Sequence, residues 1–257
     1  MNSKPHAFVT GATSGIGLAI AQALVAQGHA VSLASRQAHT REDLIDSLGG
    51  NDCAQLIRMD TTEVSSVQEG FEKAKRKFGP VQILINSAGQ AVSQAFDKSD
   101  ASLFAHLMNV NLMGLVHCTQ AALQDMKAQR FGRIIHIAST AGLKGYPYTS
   151  AYSASKHAVI GLTRALALEL ATTGITVNAV CPGFTDTPLA QAAIDNIADK
   201  THQSADDAAK MLSQINPMGR LVRPQEVANA VLWLASAEAS SITGQAIVVA
   251  GGEVMAG

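Results

Sequence analysis

What most constrains this chain is a strict alternation, almost from end to end, of short continuous apolar runs with longer helical patterns. The runs at 6–10, 30–35, 54–59, 81–86, 133–138, 175–181 and 246–249 read as strands. Each lacks the polar alternation of a half-solvated strand, so each is expected to be covered on both faces. Between them, 15–28, 40–49, 63–78, 100–129, 151–173 and 224–237 read as helices. Such alternation predicts an α/β fold, a doubly wound parallel sheet with helices on both faces and right-handed crossovers. No repeat, low-complexity tract or Gly/Ser linker interrupts it, so residues 1–257 are expected to form one domain.

One segment breaks the rhythm. Between Thr187 and Met218 about thirty residues pass without a strand, and LAQAAIDNIA and SADDAAKMLSQI read as two short helices. An insertion after the carboxyl end of a strand lies where open α/β sheets bind ligands. It reads equally as a substrate lid over 187–218 and as an ordinary surface helix pair.

Composition narrows the function classes. With 47% hydrophobic residues among 257, the chain has the material for a large core. Nineteen Lys and Arg oppose twenty Asp and Glu, a formal charge of −1, so no basic field exists to hold nucleic acid or an anionic membrane. Aromatic residues at 4% argue against a base-stacking platform. Cys53, Cys118 and Cys181 form no CxxC pair, and the eight histidines show no ligand spacing, so neither a disulfide framework nor a metal site is expected. The N-terminus lacks a long apolar signal region, and no apolar run approaches the roughly 20 residues of a spanning helix. A soluble cytoplasmic protein is the expectation.

The first run ends in Thr10-Gly11-Ala12-Thr13-Ser14-Gly15-Ile16-Gly17, followed by an Ala/Leu-rich helix. Glycines there let a backbone turn sharply and approach a pyrophosphate, for which a helix N-terminus supplies free amides and a positive dipole end. The spacing is Gly-x-x-x-Gly-x-Gly, and by itself it also suits any tight βα connection. The second run ends at Ser35-Arg36. An acid near this point would bind the ribose 2′-hydroxyl of NAD, whereas an arginine accommodates the 2′-phosphate of NADP. Preference for NADP(H) over NAD(H) is therefore expected. The plain alternative is a solvated surface arginine.

Tyr152 and Lys156 lie one helical turn apart at the start of AYSASKHAVIGLTRALALELA, so their side chains share a face. An ammonium beside a phenol favours the phenolate and should lower the tyrosine pKa. Ser139, thirteen residues earlier, ends an apolar run where it could hydrogen-bond a carbonyl.

Taken together, TGATSGIG, Asn86-Ser87-Ala88-Gly89, Asn111, Ser139, Tyr152-x-x-x-Lys156 and Pro182-Gly183 resemble, in order and spacing and over essentially the whole chain, the short-chain dehydrogenase/reductase family. The resemblance implies a Rossmann-type seven-stranded parallel sheet and hydride transfer with NAD(P). It implies Tyr152 as general acid in ketone reduction, Lys156 on the nicotinamide ribose and lowering the tyrosine pKa, and Ser139 polarising the carbonyl. Asn111 would hold a helix distortion and a water. Cofactor contacts are implied at Gly11, Thr13, Ser14, Gly15, Ile16 and Gly17, at Ser35, Arg36 and Asp60, and at Asn86, Ala88 and Gly89. Tyr152, Lys156, Pro182, Gly183, Thr185 and Thr187 complete that set, with Asp60 at the adenine and Thr187 at the carboxamide. The family's usual Asn-Asn-Ala-Gly reads Asn86-Ser87-Ala88-Gly89 here, a local change.

Within the family, the stretch from Ser139 to Ala190 looks most like 3-oxoacyl thioester and polyketide ketoreductases, and is also similar to 3-hydroxybutyrate dehydrogenases. Reduction of a 3-oxoacyl group on coenzyme A or an acyl carrier protein is favoured. The alternatives are a dehydrogenase of a small or cyclic secondary alcohol and a non-catalytic NADP(H)-binding regulator. Arg220 and Arg223 could meet a pantetheine phosphate, but a structural role suits them better, as it does Lys127, Arg130 and Arg133. Apolar stripes at Leu103, Leu107, Val110, Gly114, Leu115 and Cys118, and at Val159, Leu162, Leu166 and Leu170, suit core or interface. The resemblance implies a dimer and commonly a homotetramer, with the GGEVMAG tail at a second two-fold contact.

Overall fold

The computed structural model describes residues 5–255. The first four residues and the last two of the GGEVMAG tail lie outside them. Seven strands, β1 (Ala7–Thr10), β2 (Val31–Ser35), β3 (Ala54–Arg58), β4 (Ile83–Asn86), β5 (Gly132–Ile137), β6 (Ile175–Pro182) and β7 (Ala246–Val249), form one parallel sheet in the order β3-β2-β1-β4-β5-β6-β7. All seven expected strands are present. The order reverses between β1 and β4, which places the switch-point crevice outside their carboxyl ends.

Alternation along each strand explains why the apolar runs are continuous. Ala7, Val9, Ile83, Ile85 and Ile135 point into one core, while Phe8, Leu84, Ile134 and Val177 point into the other. The first core is capped by α1 (Gly15–Ala26) and, beyond the short α2 (Asp43–Ser47), by α9 (Pro224–Ala235). The second lies under α3 (Val64–Phe78), α5 (Gly114–Gln129) and α6 (Ser150–Leu170). Fully burying each Val, Leu, Ile or Phe side chain among these is worth about 1.5–3 kcal/mol.

Two expected helices are altered. The stretch 40–49 yields only α2, because Gly49 and Gly50 both turn to φ +86 and end it. The stretch 100–129 divides into α4 (Ala101–Met108) and α5, joined through a π-turn at Asn109–Met113. By length and hydropathy this 29-residue run could cross a membrane, contrary to the expectation that no such run exists. Here it packs Leu107, Leu115, Cys118, Ala122 and Met126 into the protein core.

The insertion consists of α7 (Pro188–Thr201) and α8 (Ala205–Ile215), as the sequence pattern predicts. Thr187 caps α7 by accepting from the Ala190 amide, and Ser204 caps α8 by accepting from the Asp207 amide. Ile194, Ala208 and Leu212 form a small core between the two helices, resting on Phe184 and Leu221 at the sheet's carboxyl edge.

Candidate active site

At the switch point, Thr10 Oγ1 accepts from the Ser87 and Ala88 amides at 3.0 Å each, tying the ends of β1 and β4 together. Gly11 has φ +64, and a Cβ there would stand 2.9 Å from Ala88 Cα. Gly15 has φ +52, and a Cβ there would stand 3.2 Å from the Thr187 methyl. A Cβ on Gly17 would collide with the Gly11 carbonyl oxygen. Gly11 and Gly17 are thus demanded by the chain's own backbone. Ser14 at the N-cap of α1 makes no side-chain capping bond, and no acid occupies the first turn. That end offers amide donors and a positive dipole, which fits a pyrophosphate.

At the end of β2, Ser35 Oγ accepts from Thr13 Oγ1 at 3.0 Å and from the Gln37 amide at 3.1 Å, with Arg36 exposed beside it. Arg41, absent from the sequence reading, donates to the Thr13 carbonyl at 2.7 Å and pairs with Asp43. Two guanidinium groups therefore flank this corner. Burial pushes the Asp60 carboxyl up, but bonds from the Thr62 amide and hydroxyl, with the Arg36 charge, outweigh it and hold the group below its usual range.

Ser139 ends its extended segment by accepting from the Ala141 amide at 3.1 Å. Across from it, α6 presents Tyr152 and Lys156 in its first two turns. Lys156 Nζ is buried and donates to the Ile137 carbonyl at 2.9 Å, 5.8 Å from the Tyr152 ring centroid. Gly89 makes room for this convergence, since a Cβ there would lie 3.1 Å from Asn111 Oδ1 and 3.5 Å from Lys156 Nζ. Burial pulls Lys156 down to about 8. It pushes the Tyr152 phenol up, against the partial counter-effect of the Ser139 hydroxyl. The expected lowering of the tyrosine by lysine is thus reversed in this state: desolvation dominates, and the ammonium is spent on a backbone carbonyl.

Asn111 sits buried in the π-turn. Its Oδ1 accepts from the Gln90 amide at 2.8 Å, while its Nδ2 donates to the Gln90 carbonyl at 2.9 Å and to Ser155 Oγ at 3.0 Å. Ser155 in turn donates to the Tyr152 carbonyl at 2.7 Å, so the helix distortion is fastened to the start of α6.

A family model described as short chain dehydrogenase matches residues 5–198. The chain belongs to the short chain dehydrogenase family. It is 36% identical over 249 residues to the Escherichia coli 3-oxoacyl-(acyl-carrier-protein) reductase FabG, covering 97% of each chain. It is 39% identical over 254 residues to a Streptomyces violaceoruber protein named for ketoacyl reduction in the granaticin polyketide synthase, covering 97% of this chain and 93% of that one. A crystal structure of a variant actinorhodin polyketide ketoreductase with NADPH superposes with a TM-score of 0.92 at 37% identity, covering 97% of both chains. ElxO with NADP bound superposes with a TM-score of 0.87 at 32% identity, covering 97% of this chain and 98% of that one. Membership makes the chain an oxidoreductase acting between C=O and CH–OH.

Several of the expected cofactor-contact residues also bond within the protein. Asn86 is buried and donates to Thr119 Oγ1 and His136 Nδ1 at 3.2 Å each, facing the core rather than the crevice. The Thr187 hydroxyl donates to the Thr185 carbonyl at 3.1 Å while capping α7, and Thr185 donates to the Gly183 carbonyl at 2.9 Å. Gly183, after Pro182, packs against Ala250 and Glu253. The backbone groups of these residues, and those of Ile16 and Ala88, remain at the carboxyl edge. A cleft of about 550 Å³ beside them is lined by Asp186, Thr187, Pro188, Gln191, Ala192 and Asp195.

Arg220 grips Glu226 through two bonds of 2.7 and 2.8 Å, and Arg223 reaches the same carboxylate, which itself accepts from the Arg223 amide, so both arginines are structural at the start of α9. Arg133 Nε donates to the Ser236 carbonyl, and Arg130 takes the left-handed turn that ends α5. Cys118 and Cys181 are buried free thiols, and Cys53 is partly exposed.

Proposed function

We propose that this chain is an NADPH-dependent reductase of ketones, and that its substrate is a 3-oxoacyl group carried as a thioester on coenzyme A or an acyl carrier protein. The observation that carries the reading is the convergence of Ser139, Tyr152 and Lys156 at the carboxyl edge of the sheet. Relatives named as ketoacyl and 3-oxoacyl reductases, and structural neighbours holding NADPH or NADP, support it. The uncapped first turn of α1, with Ser35, Arg36 and Arg41 at the end of β2, suits a pyrophosphate and a 2′-phosphate. When bound, NADPH supplies the hydride that adds to the carbonyl carbon.

The chain's own residues do the rest. Ser139 orients the carbonyl oxygen and Tyr152 gives it a proton, which burial keeps on the phenol until the substrate takes it. The Lys156 ammonium steadies the phenolate left behind, and the Asn111–Ser155 link holds the first turn of α6 in register. The chain acts as a single domain with α7 and α8 as lid. It works in the cytosol as a homo-oligomer, at least a dimer, and exposed Leu168, Met113 and Trp233 supply apolar surface for such contacts. Turnover of acetoacetyl-CoA against a panel of free ketones, with NADPH and then NADH, tests the reading. Exclusive use of free ketones would overturn the thioester assignment.

A further inference from the structure

The last turn among the described residues carries a carboxylate back toward the Pro182-Gly183 turn. After β7, Gly251 and Gly252 adopt φ +58 and +91, and a Cβ on Gly251 would strike the Asn216 side chain at the exit of α8. This bend brings Glu253 over the Pro182-Gly183 turn, where its Oε2 lies 2.8 Å from the position a Gly183 Cβ would take. The side chain is only 2% exposed. Its Oε1 is well served, accepting from the Tyr146 hydroxyl and from Lys144 Nζ at 3.2 Å. Its Oε2 is buried with no hydrogen-bond partner among the described residues. A buried carboxylate oxygen left bare is costly and is expected to have a donor in the working state.

The surroundings say where that donor comes from. The Tyr146 hydroxyl also bonds Thr140 Oγ1 at 2.7 Å, and Thr140 directly follows Ser139. The Tyr146 ring stands edge-on to Phe184, which floors the lid's core, with centroids 6.0 Å apart. The Lys144–Tyr146–Glu253 group therefore lies between the Ser139 segment, the Pro-Gly turn and the insertion's small core. Lys144 already balances the carboxylate charge, so a neutral donor suffices, whereas a second cation would compete with Lys144 for it.

We infer that Glu253, positioned by Tyr146 and Lys144, determines specificity by accepting a hydrogen bond from a hydroxyl group on the substrate, remote from the carbonyl that is reduced. The inference deepens the proposed function and rests on it: the 3-oxoacyl chain would carry a hydroxyl rather than end as plain hydrocarbon. A hydrocarbon end leaves Oε2 bare, and sites built to bind a hydroxyl reject analogues that lack it.

The test uses matched N-acetylcysteamine thioesters of 3-oxo acids, one ending in methyl and one in hydroxyl, at a short and a longer chain length. Wild type should favour the hydroxyl member at one length by at least about tenfold in kcat/KM. Glu253→Leu should reverse that ratio, and Tyr146→Phe should shrink it. Because each ratio is taken within one variant, loss of folded enzyme cancels, and a mere anchoring role for the tail would leave it unchanged. Preference for methyl at both lengths, or a Glu253→Leu ratio within about twofold of wild type, would overturn the inference while leaving the ketone reductase standing. Reduction of neither thioester would overturn the thioester reading itself, and this inference with it.

Discussion

Lys156 Nζ donates to the Ile137 carbonyl at 2.9 Å, which fixes the ammonium at the carboxyl end of β5 and one turn below Tyr152. Two consequences follow from the geometry. The lysine is held where it can stabilise a phenolate, and it is dry enough that its own charge becomes conditional on pH.

Burial brings Lys156 to about 8 while pushing Tyr152 upward. The ammonium is present below that value and lost above it, whereas the phenol keeps its proton throughout. In the free enzyme, kcat/KM for ketone reduction should therefore be flat through neutrality and fall as pH rises past about 8. The two groups are close enough that the limb belongs to the pair. A profile without a limb until pH exceeds about 10, the ordinary lysine and tyrosine range, would contradict the assignment.

His136 lies fully buried beneath this site and is held at about 3, first by burial and then by the Lys156 charge. The unfolded chain protonates this residue below 6.5, and the folded chain does so only near 3. Between those values the unfolded state binds more protons. Stability contributed by the neutral form is full above 6.5 and is lost as pH falls toward 3, at up to about 1.4 kcal/mol per pH unit. Urea unfolding of wild type and His136→Asn across this window should show the shallower slope in the variant. Parallel slopes would refute the account.

Gly17→Ala tests the demand for glycine in the first turn. Its added methyl meets the Gly11 carbonyl oxygen, a backbone atom that cannot swing aside as the end of a flexible side chain would. A loss of about 1–3 kcal/mol in unfolding free energy is expected, together with weaker NADPH binding by fluorescence titration. A variant as stable and as tight-binding as wild type would show that the turn has slack.

Arg36→Ala should cut the NADPH-over-NADH ratio of kcat/KM by about 10- to 100-fold, the worth of a charge-assisted bond to phosphate. Arg41→Ala should lower the same ratio less, because that guanidinium is already committed to Thr13 and Asp43. An unchanged ratio in Arg36→Ala would return that residue to the solvated surface.

The sequence carried the sheet because its central strands are buried on both faces, so pattern and environment agree from Phe8 to Val177, while the edge strand β7 is only partly covered. It also carried both helices of the insertion, whose caps at Thr187 and Ser204 precede clear helical runs. The π-turn at Asn109–Met113 was invisible to periodicity, since no Gly or Pro interrupts NVNLM; only the family resemblance attached a distortion to Asn111. The side chains of Asn86 and Thr187 also bond neighbours that no spacing rule could name. Glu253 and Tyr146 are 107 residues apart, and two positive-φ glycines at the end of the chain bring them together. Contacts of that kind are set by tertiary geometry alone.

The central claim is that Tyr152 supplies the proton in ketone reduction, and Tyr152→Phe tests it with the ring retained. With NADPH and a 3-oxoacyl thioester, kcat should fall by about 10²- to 10⁴-fold, while NADPH still binds with its wild-type affinity. A variant retaining kcat within about tenfold of wild type would contradict the account.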